Sequence, residues 1–90
     1  MKNILITGAS QGIGKSTAIE AAKAKMFVGI NYNQNSKAAE ECLKLVRDSG
    51  GDGIILQCDV ANNKSVKGMF NDFLDKAGTI DGVFNNAGIT

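Results

Sequence analysis

Three glycines fall close together in Thr7-Gly8-Ala9-Ser10-Gln11-Gly12-Ile13-Gly14, directly after the apolar run Ile4-Leu5-Ile6. A buried strand that ends in such a turn and passes into a helix presents bare backbone N–H groups, the arrangement that receives a pyrophosphate at a helix N-terminus. In that reading Gly8 turns the chain, Gly12 lets the backbone approach a diphosphate, and Gly14 lets the helix pack closely on the strand. A second small and polar cluster, Asn85-Asn86-Ala87-Gly88, closes the far end of the chain. The first cluster reads T-G-x-x-x-G-x-G, a different spacing from G-x-G-x-x-G. Gly14-Lys15-Ser16 looks like the end of a P-loop, but that motif needs a glycine five residues before the one preceding the lysine. Ala9 occupies that place and Gly8 is one residue too far. An NTPase loop would not close in that register.

The elements that must position these clusters follow from apolar patterning. Continuous apolar runs of strand length cover Ile4–Thr7, Phe27–Tyr32, Gly53–Cys58 and Asp81–Asn85, as expected where both faces of a parallel sheet are covered. Between them lie an alanine-rich stretch, Gly12–Ala24, and a segment, Lys37–Asp48, with Ala39, Cys42, Leu43 and Val46 on one face. A third stripe, Val66, Met69, Phe70, Phe73 and Ala77, has helical spacing. Asn62, Asn63 and Ser65 are candidate N-caps for the third helix; Gly50-Gly51 and Gly78 mark the ends of the second and third. Glu40 and Lys44 form an i,i+4 pair on a solvated face. The alternation β-α-β-α-β-α-β predicts an α/β fold, a Rossmann-type doubly wound parallel sheet of strand order 3-2-1-4.

Composition sets the outer limits. Ninety residues make at most one small domain, and a net charge of +1 leaves no footprint for nucleic acid or an anionic membrane. No apolar run approaches the roughly 20 residues of a membrane span, and Met1-Lys2-Asn3 leads straight into a short strand rather than a signal peptide. A cytoplasmic location is the expectation. The two cysteines, Cys42 and Cys58, lack C-x-x-C spacing and the chain has no histidine. Two reduced, buried thiols are expected rather than a metal site.

The two clusters together resemble the short-chain dehydrogenase/reductase family, over essentially the whole chain. The resemblance implies an NAD(P)-dependent oxidoreductase that reduces a carbonyl or oxidises a secondary alcohol, of which residues 1–90 are the dinucleotide-binding half. It places the catalytic serine and Tyr-x-x-x-Lys pair beyond Thr90, so no catalytic residue is expected here. The single tyrosine, Tyr32, is followed four residues on by Ser36 rather than lysine. The chain looks most like the beta-ketoacyl carrier-protein reductases. By that likeness, the complete protein is expected to take a small carbonyl or acyl-thioester substrate and to be a homo-oligomer. A non-catalytic dinucleotide-binding or redox-sensing module on the same fold is the alternative. Strand four, interior in the family, is expected to form an edge through which the ninety residues self-associate.

The resemblance also distributes roles. Gly8, Gly12 and Gly14, with Ser10, Gln11 and Ile13, would contact phosphate, ribose and the nicotinamide side. Asp59 would accept from the adenine amino group, while the Val60 backbone N–H reaches a ring nitrogen. Asn86, Ala87 and Gly88 would line the adenosine-ribose pocket, and Asn85 would tie neighbouring strands. NAD-preferring members carry an acidic residue at the end of strand two, where it engages the ribose hydroxyls and repels a 2′-phosphate. Asn31-Tyr32-Asn33 stands there, with no carboxylate before Glu40. NADP(H) is thereby favoured over NAD(H), although neither Gln11 nor Asn33 is the arginine that NADP-preferring relatives often have. Lys15 and Lys37 are the nearest cations, and the competing reading makes Asn31 and Asn33 a polar surface loop. Many relatives have leucine at the place of Ala21 and glycine at that of Lys25; Phe84 would refill some of the volume Ala21 gives up.

Overall fold

The computed structural model describes residues 2–86. The order is β1 (Asn3–Thr7), α1 (Gly12–Lys23), β2 (Phe27–Tyr32), α2 (Ser36–Asp48), β3 (Asp52–Gln57), α3 (Asn63–Ala77) and β4 (Gly82–Asn85). The strands form one four-stranded sheet ordered β3-β2-β1-β4, parallel at every pairing. Thr7 aligns with Asn85 and Tyr32 with Gln57, so the carboxyl ends of all four strands lie along one rim. The order reverses at β1, which places a topological switch point between β1 and β4 at that rim.

The sheet is covered on both faces, which explains the continuous apolar strands. Ile6, Val28 and Ile30 pack with Ala18, Ala22 and Val46, putting α1 and α2 on one face. Leu5 and Leu56 pack with Met69 and Phe73, putting α3 on the other. Alanines on α1 bring that helix close to the sheet. On the opposite face, Gly29 makes the room: a Cβ there would lie 2.7 Å from Leu5 Cδ1 and 2.8 Å from the Phe73 ring. Phe73 fills this hole, fully buried, and stacks on Phe27 with ring centroids 5.9 Å apart. Burial of such a ring stabilises the fold by about 1.5–3 kcal/mol. Phe84 packs partly against the cluster on the α1–α2 face.

Several element ends differ from the patterning. The third strand runs Asp52–Gln57, one residue earlier than expected, because Asp52 rather than Gly53 pairs with Phe27. The fourth begins at Gly82, with Asp81 tied to Asn3 just before it: the Asp81 N–H donates to Asn3 O and the Asp81 carboxylate accepts the Asn3 N–H, both at 2.8 Å. Helix α3 starts at Asn63, and of the three candidate caps Asn62 takes the role, accepting from the Lys64 and Ser65 N–H groups. Among the described residues the ion pairs are Lys23–Glu20 and Arg47–Asp52, so the expected Glu40–Lys44 pair is not formed. β4 is an edge of the sheet, with Val83 half exposed.

Two helices end in the same way with different residues. After α1 the Lys25 N–H donates to Ala22 O and the Met26 N–H to Ala21 O; after α2 the Gly50 N–H donates to Arg47 O and the Gly51 N–H to Val46 O. Both are six-residue helix stops that need a left-handed residue at the turn. Gly50 supplies it at φ 103° without cost, whereas Lys25 is held at φ 62°. Replacing Lys25 with Gly should stabilise the protein by about 1 kcal/mol, since a side chain in this region costs that much. In thermal unfolding the midpoint should rise by about 4–8 °C. An unchanged or lower midpoint would show that this turn holds no strain.

Candidate dinucleotide-binding site

The glycine-rich turn leaves β1 at Thr7 and enters α1 at Gly12. Gly8 and Gly12 sit at φ 62° and 58°, a region that disfavours side chains, so two of the three glycines are required by the backbone itself. Gly14 is required by space. A Cβ on it would lie 2.5 Å from Gly8 O and 3.0 Å from both Ala9 Cα and Asn86 Nδ2. The first turn of α1 therefore rests directly on the turn that precedes it.

The start of α1 is unlike the other helix starts. Asn35 and Asn62 cap α2 and α3 through their side chains, but Gln11, the cap of α1, makes no side-chain cap hydrogen bond. The first N–H groups of a helix have no partner within it and carry the positive end of its dipole. A Cβ on Gly12 would meet nothing within 4 Å, so the backbone faces open space there. Bare donors, a positive helix end and an unobstructed approach fit a diphosphate. Ile13, beside them, is 69% exposed, an apolar side chain presented to whatever the turn receives. Ser10 is half-buried and Gln11 exposed.

The two sequence clusters meet. Asn86 Nδ2 approaches Gly8 O at 3.4 Å, and Thr7 Oγ1 donates to Asn85 Oδ1 at 3.0 Å, so Asn85 ties β4 to β1 as expected. Ala87 and Gly88 lie outside the described residues. At the end of β3, Asp59 Oδ1 accepts the Ala61 N–H at 3.0 Å, folding the turn before α3 while Asn62 does the capping. Val60 lines an apolar pocket with Thr7, Val66, Met69, Phe70 and Val83, between α3 and the rim.

At the end of β2 the structure corrects two expectations. Asn31 is 2% exposed, so it belongs to no surface loop, and its carboxamide does not face the rim solvent where a ribose would sit. Asn31 Oδ1 accepts the Gly8 N–H at 3.0 Å, and Nδ2 donates to Leu56 O and Cys58 O at 3.2 Å each. Tyr32 is partly buried against the α1–α2 face, and Asn33 is exposed, its carbonyl held by Gln57 Nε2 at 2.9 Å. Patterning could not find this arrangement, because a polar residue at the last turn of a strand looks the same whether it points out or in.

Both thiols are buried and unpaired. Cys58 Sγ lies 3.3 Å from Ser65 Oγ. Cys42 Sγ donates to Ala9 O at 3.3 Å, which ties α2 to the glycine-rich turn. Among the described residues no group of histidine, cysteine or acidic side chains could hold a metal, and no helix is long and apolar enough to cross a membrane.

Comparison with known proteins accords with this geometry. The family model for short chain dehydrogenases matches residues 2–90. The chain belongs to the short-chain dehydrogenase family. The short-chain dehydrogenase/reductase homolog YusS of Bacillus subtilis is 37% identical over 89 residues, covering 99% of this chain and 82% of that relative. A 3-oxoacyl-[acyl-carrier-protein] reductase of Synechocystis is 45% identical over 86 residues, 96% of this chain but 35% of the relative. Among solved structures, an NADH-dependent reductase complexed with NAD superposes with a TM-score of 0.88 at 33% identity, and a Burkholderia cenocepacia dehydrogenase with bound NADP with a TM-score of 0.88 at 30%. Each match covers 93% of this chain, and 35% and 33% of those chains respectively. Apart from YusS, the chain thus spans about a third of the length of these relatives.

The Cys42 contact yields a test. Burial pushes this thiol above its ordinary range, only partly offset by the Lys15 charge. The folded state keeps the proton that the unfolded chain releases above a pKa of about 8.5. The stability Cys42 contributes is therefore full below that pH and is lost as pH rises towards the folded-state value. Urea unfolding between pH 8 and 10 should show a shallower alkaline loss in Cys42→Ser, which keeps a donor for Ala9 O. The same slope in both proteins would refute the link.

Proposed function

We propose that residues 1–90 are the dinucleotide-binding half of an NAD(P)-dependent reductase acting on a carbonyl, in the reverse direction on a secondary alcohol. The observation that carries this reading is the uncapped start of α1, set on Gly14 against Gly8 and open at Gly12. Backbone N–H groups of the turn and of Gly12–Gly14 take the pyrophosphate. Ser10, Gln11 and Ile13 border the path towards the nicotinamide. Asp59 and the Val60 N–H take the adenine edge, and Asn86, Ala87 and Gly88 the adenosine ribose. Bound there, the nicotinamide supplies or accepts a hydride.

NADP(H) is the preferred form in this proposal. Nothing acidic stands at residues 31–33 to repel a 2′-phosphate, and Tyr32 and the exposed Asn33 are the groups at the β2 end that can meet it. The likeness to a 3-oxoacyl-[acyl-carrier-protein] reductase supports an acyl thioester or a related small carbonyl as substrate. A homo-oligomer is the working form in this proposal. The proton that must reach the carbonyl oxygen needs a donor such as the family's tyrosine–lysine pair, and residues 1–90 contain no Tyr-x-x-x-Lys.

Two measurements test the reading. Calorimetric titration should show that the chain binds NADP+ more tightly than NAD+, and that Gly12→Asp abolishes both. The new carboxylate would occupy the anion site, while its favourable place at the helix start offsets about 0.3–1 kcal/mol of backbone strain. A folded Gly12→Asp variant that still bound dinucleotide would overturn the placement. In a purified sample the ninety residues should also oxidise no NADPH with ketones or ketoacyl thioesters; turnover above a buffer blank would require another proton donor.

A further inference from the structure

Residue 31 grips the glycine-rich turn twice and the end of β3 twice. Its backbone carbonyl accepts the Ala9 N–H at 3.1 Å, and its side-chain oxygen accepts the Gly8 N–H at 3.0 Å. Its side-chain nitrogen donates to Leu56 O and Cys58 O, both at 3.2 Å, with a longer contact to Tyr32 O at 3.4 Å. At 2% exposure, the carboxamide is one of only three buried polar side chains among the described residues. A polar group so deeply buried is costly unless every donor and acceptor is met, and here both kinds are. An apolar residue could fill the volume, but it could not bridge an N–H on one side and two carbonyls on the other. The carbonyls it holds flank Gln57 and immediately precede Asp59-Val60.

We infer that Asn31 is a positioning residue for dinucleotide binding, setting the phosphate-binding turn and the adenine-binding end of β3 with one carboxamide. This rests on the proposed dinucleotide site and adds a residue that touches no part of the ligand. Asn31 fixes Gly8 and Ala9 so that the following N–H groups converge, and fixes Leu56 and Cys58 so that Asp59 and Val60 stand at a set distance from them. Its substitution therefore weakens NAD and NADP alike, because both share the pyrophosphate and adenine. A residue that reads the 2′ position would instead change their ratio.

Asn31→Asp keeps an acceptor for the Gly8 N–H but turns an oxygen towards two carbonyl oxygens; Asn31→Leu removes every side-chain hydrogen bond. With NADP+ and NAD+ titrated into each variant, and the folded fraction fixed by circular dichroism, both affinities should fall about tenfold or more, by equal factors. An NADP+/NAD+ ratio that moves by more than about threefold would overturn the inference, since Asn31 would then read the ribose directly. Unchanged affinities in folded variants would also overturn it, leaving a purely structural role. Hydrogen exchange on the unaltered chain serves if both variants fail to fold: the Gly8 and Ala9 amides should be protected, and those of Gly12 and Ile13 should exchange freely. Equal exchange at all four would refute the clamp. A chain that binds neither dinucleotide yet protects Gly8 and Ala9 would refute the proposed function and leave the clamp standing.

Discussion

The close approach of the first turn of α1 to the end of β1 is the constraint on which this structure depends. Gly14 lies against Gly8 O and Ala9 Cα at distances no side chain allows. That contact needs glycine at 14, a left-handed residue at 8, and a helix light enough in side chains to sit low on the sheet. Ala18 and Ala22, both fully buried, meet the last requirement. The same closeness aims the unpaired N–H groups of α1 beyond the rim of the sheet. Packing and the exposed helix start are thus consequences of one geometry.

Polar side chains hold that geometry at both ends of β1. At the amino end, Asn3 Nδ2 donates to Ala77 O, Thr79 O and Thr79 Oγ1, while its backbone N–H reaches Asp81, fastening the α3–β4 connection to the sheet. At the carboxyl end, Thr7 bonds Asn85, Asn31 bonds Gly8, and Cys42 bonds Ala9. Among the described residues no buried side-chain nitrogen or oxygen lacks a partner. Such a network resists sliding of β4 past β1 and of α2 past the turn, because each step would strand a donor or acceptor in a place water does not reach. The rim is therefore cross-linked around Gly8 and Ala9, while Gln11, Gly12 and Ile13 stay exposed.

Much of this was legible in the residues. Continuous apolar runs gave the strands because a sheet covered on both faces has no polar side to alternate. Strand order followed from the alternation of elements and the handedness of their crossovers. The glycine spacing was informative because each glycine answers a physical requirement: left-handed backbone at Gly8 and Gly12, and a close contact at Gly14. Lys25 was readable as a strained helix stop, and the structure holds it at positive φ. The element ends at Asp52 and Gly82 were not readable, because they depend on Phe27 and Asn3 across the sheet.

Sequence by itself determined the class of fold, the place of the glycine-rich turn and the family, since each rests on short local patterns, the family on two of them, at residues 7–14 and 85–88. Only the tertiary structure decided what Asn31 does. Its partners lie 23 residues back at Gly8 and 25 and 27 residues ahead at Leu56 and Cys58, and no local pattern joins them. An asparagine at a strand end has the same composition and period whether it meets solvent or bridges three strands. Parallel pairing puts the ends of β1, β2 and β3 side by side, and the unsatisfied backbone groups there draw the carboxamide inward.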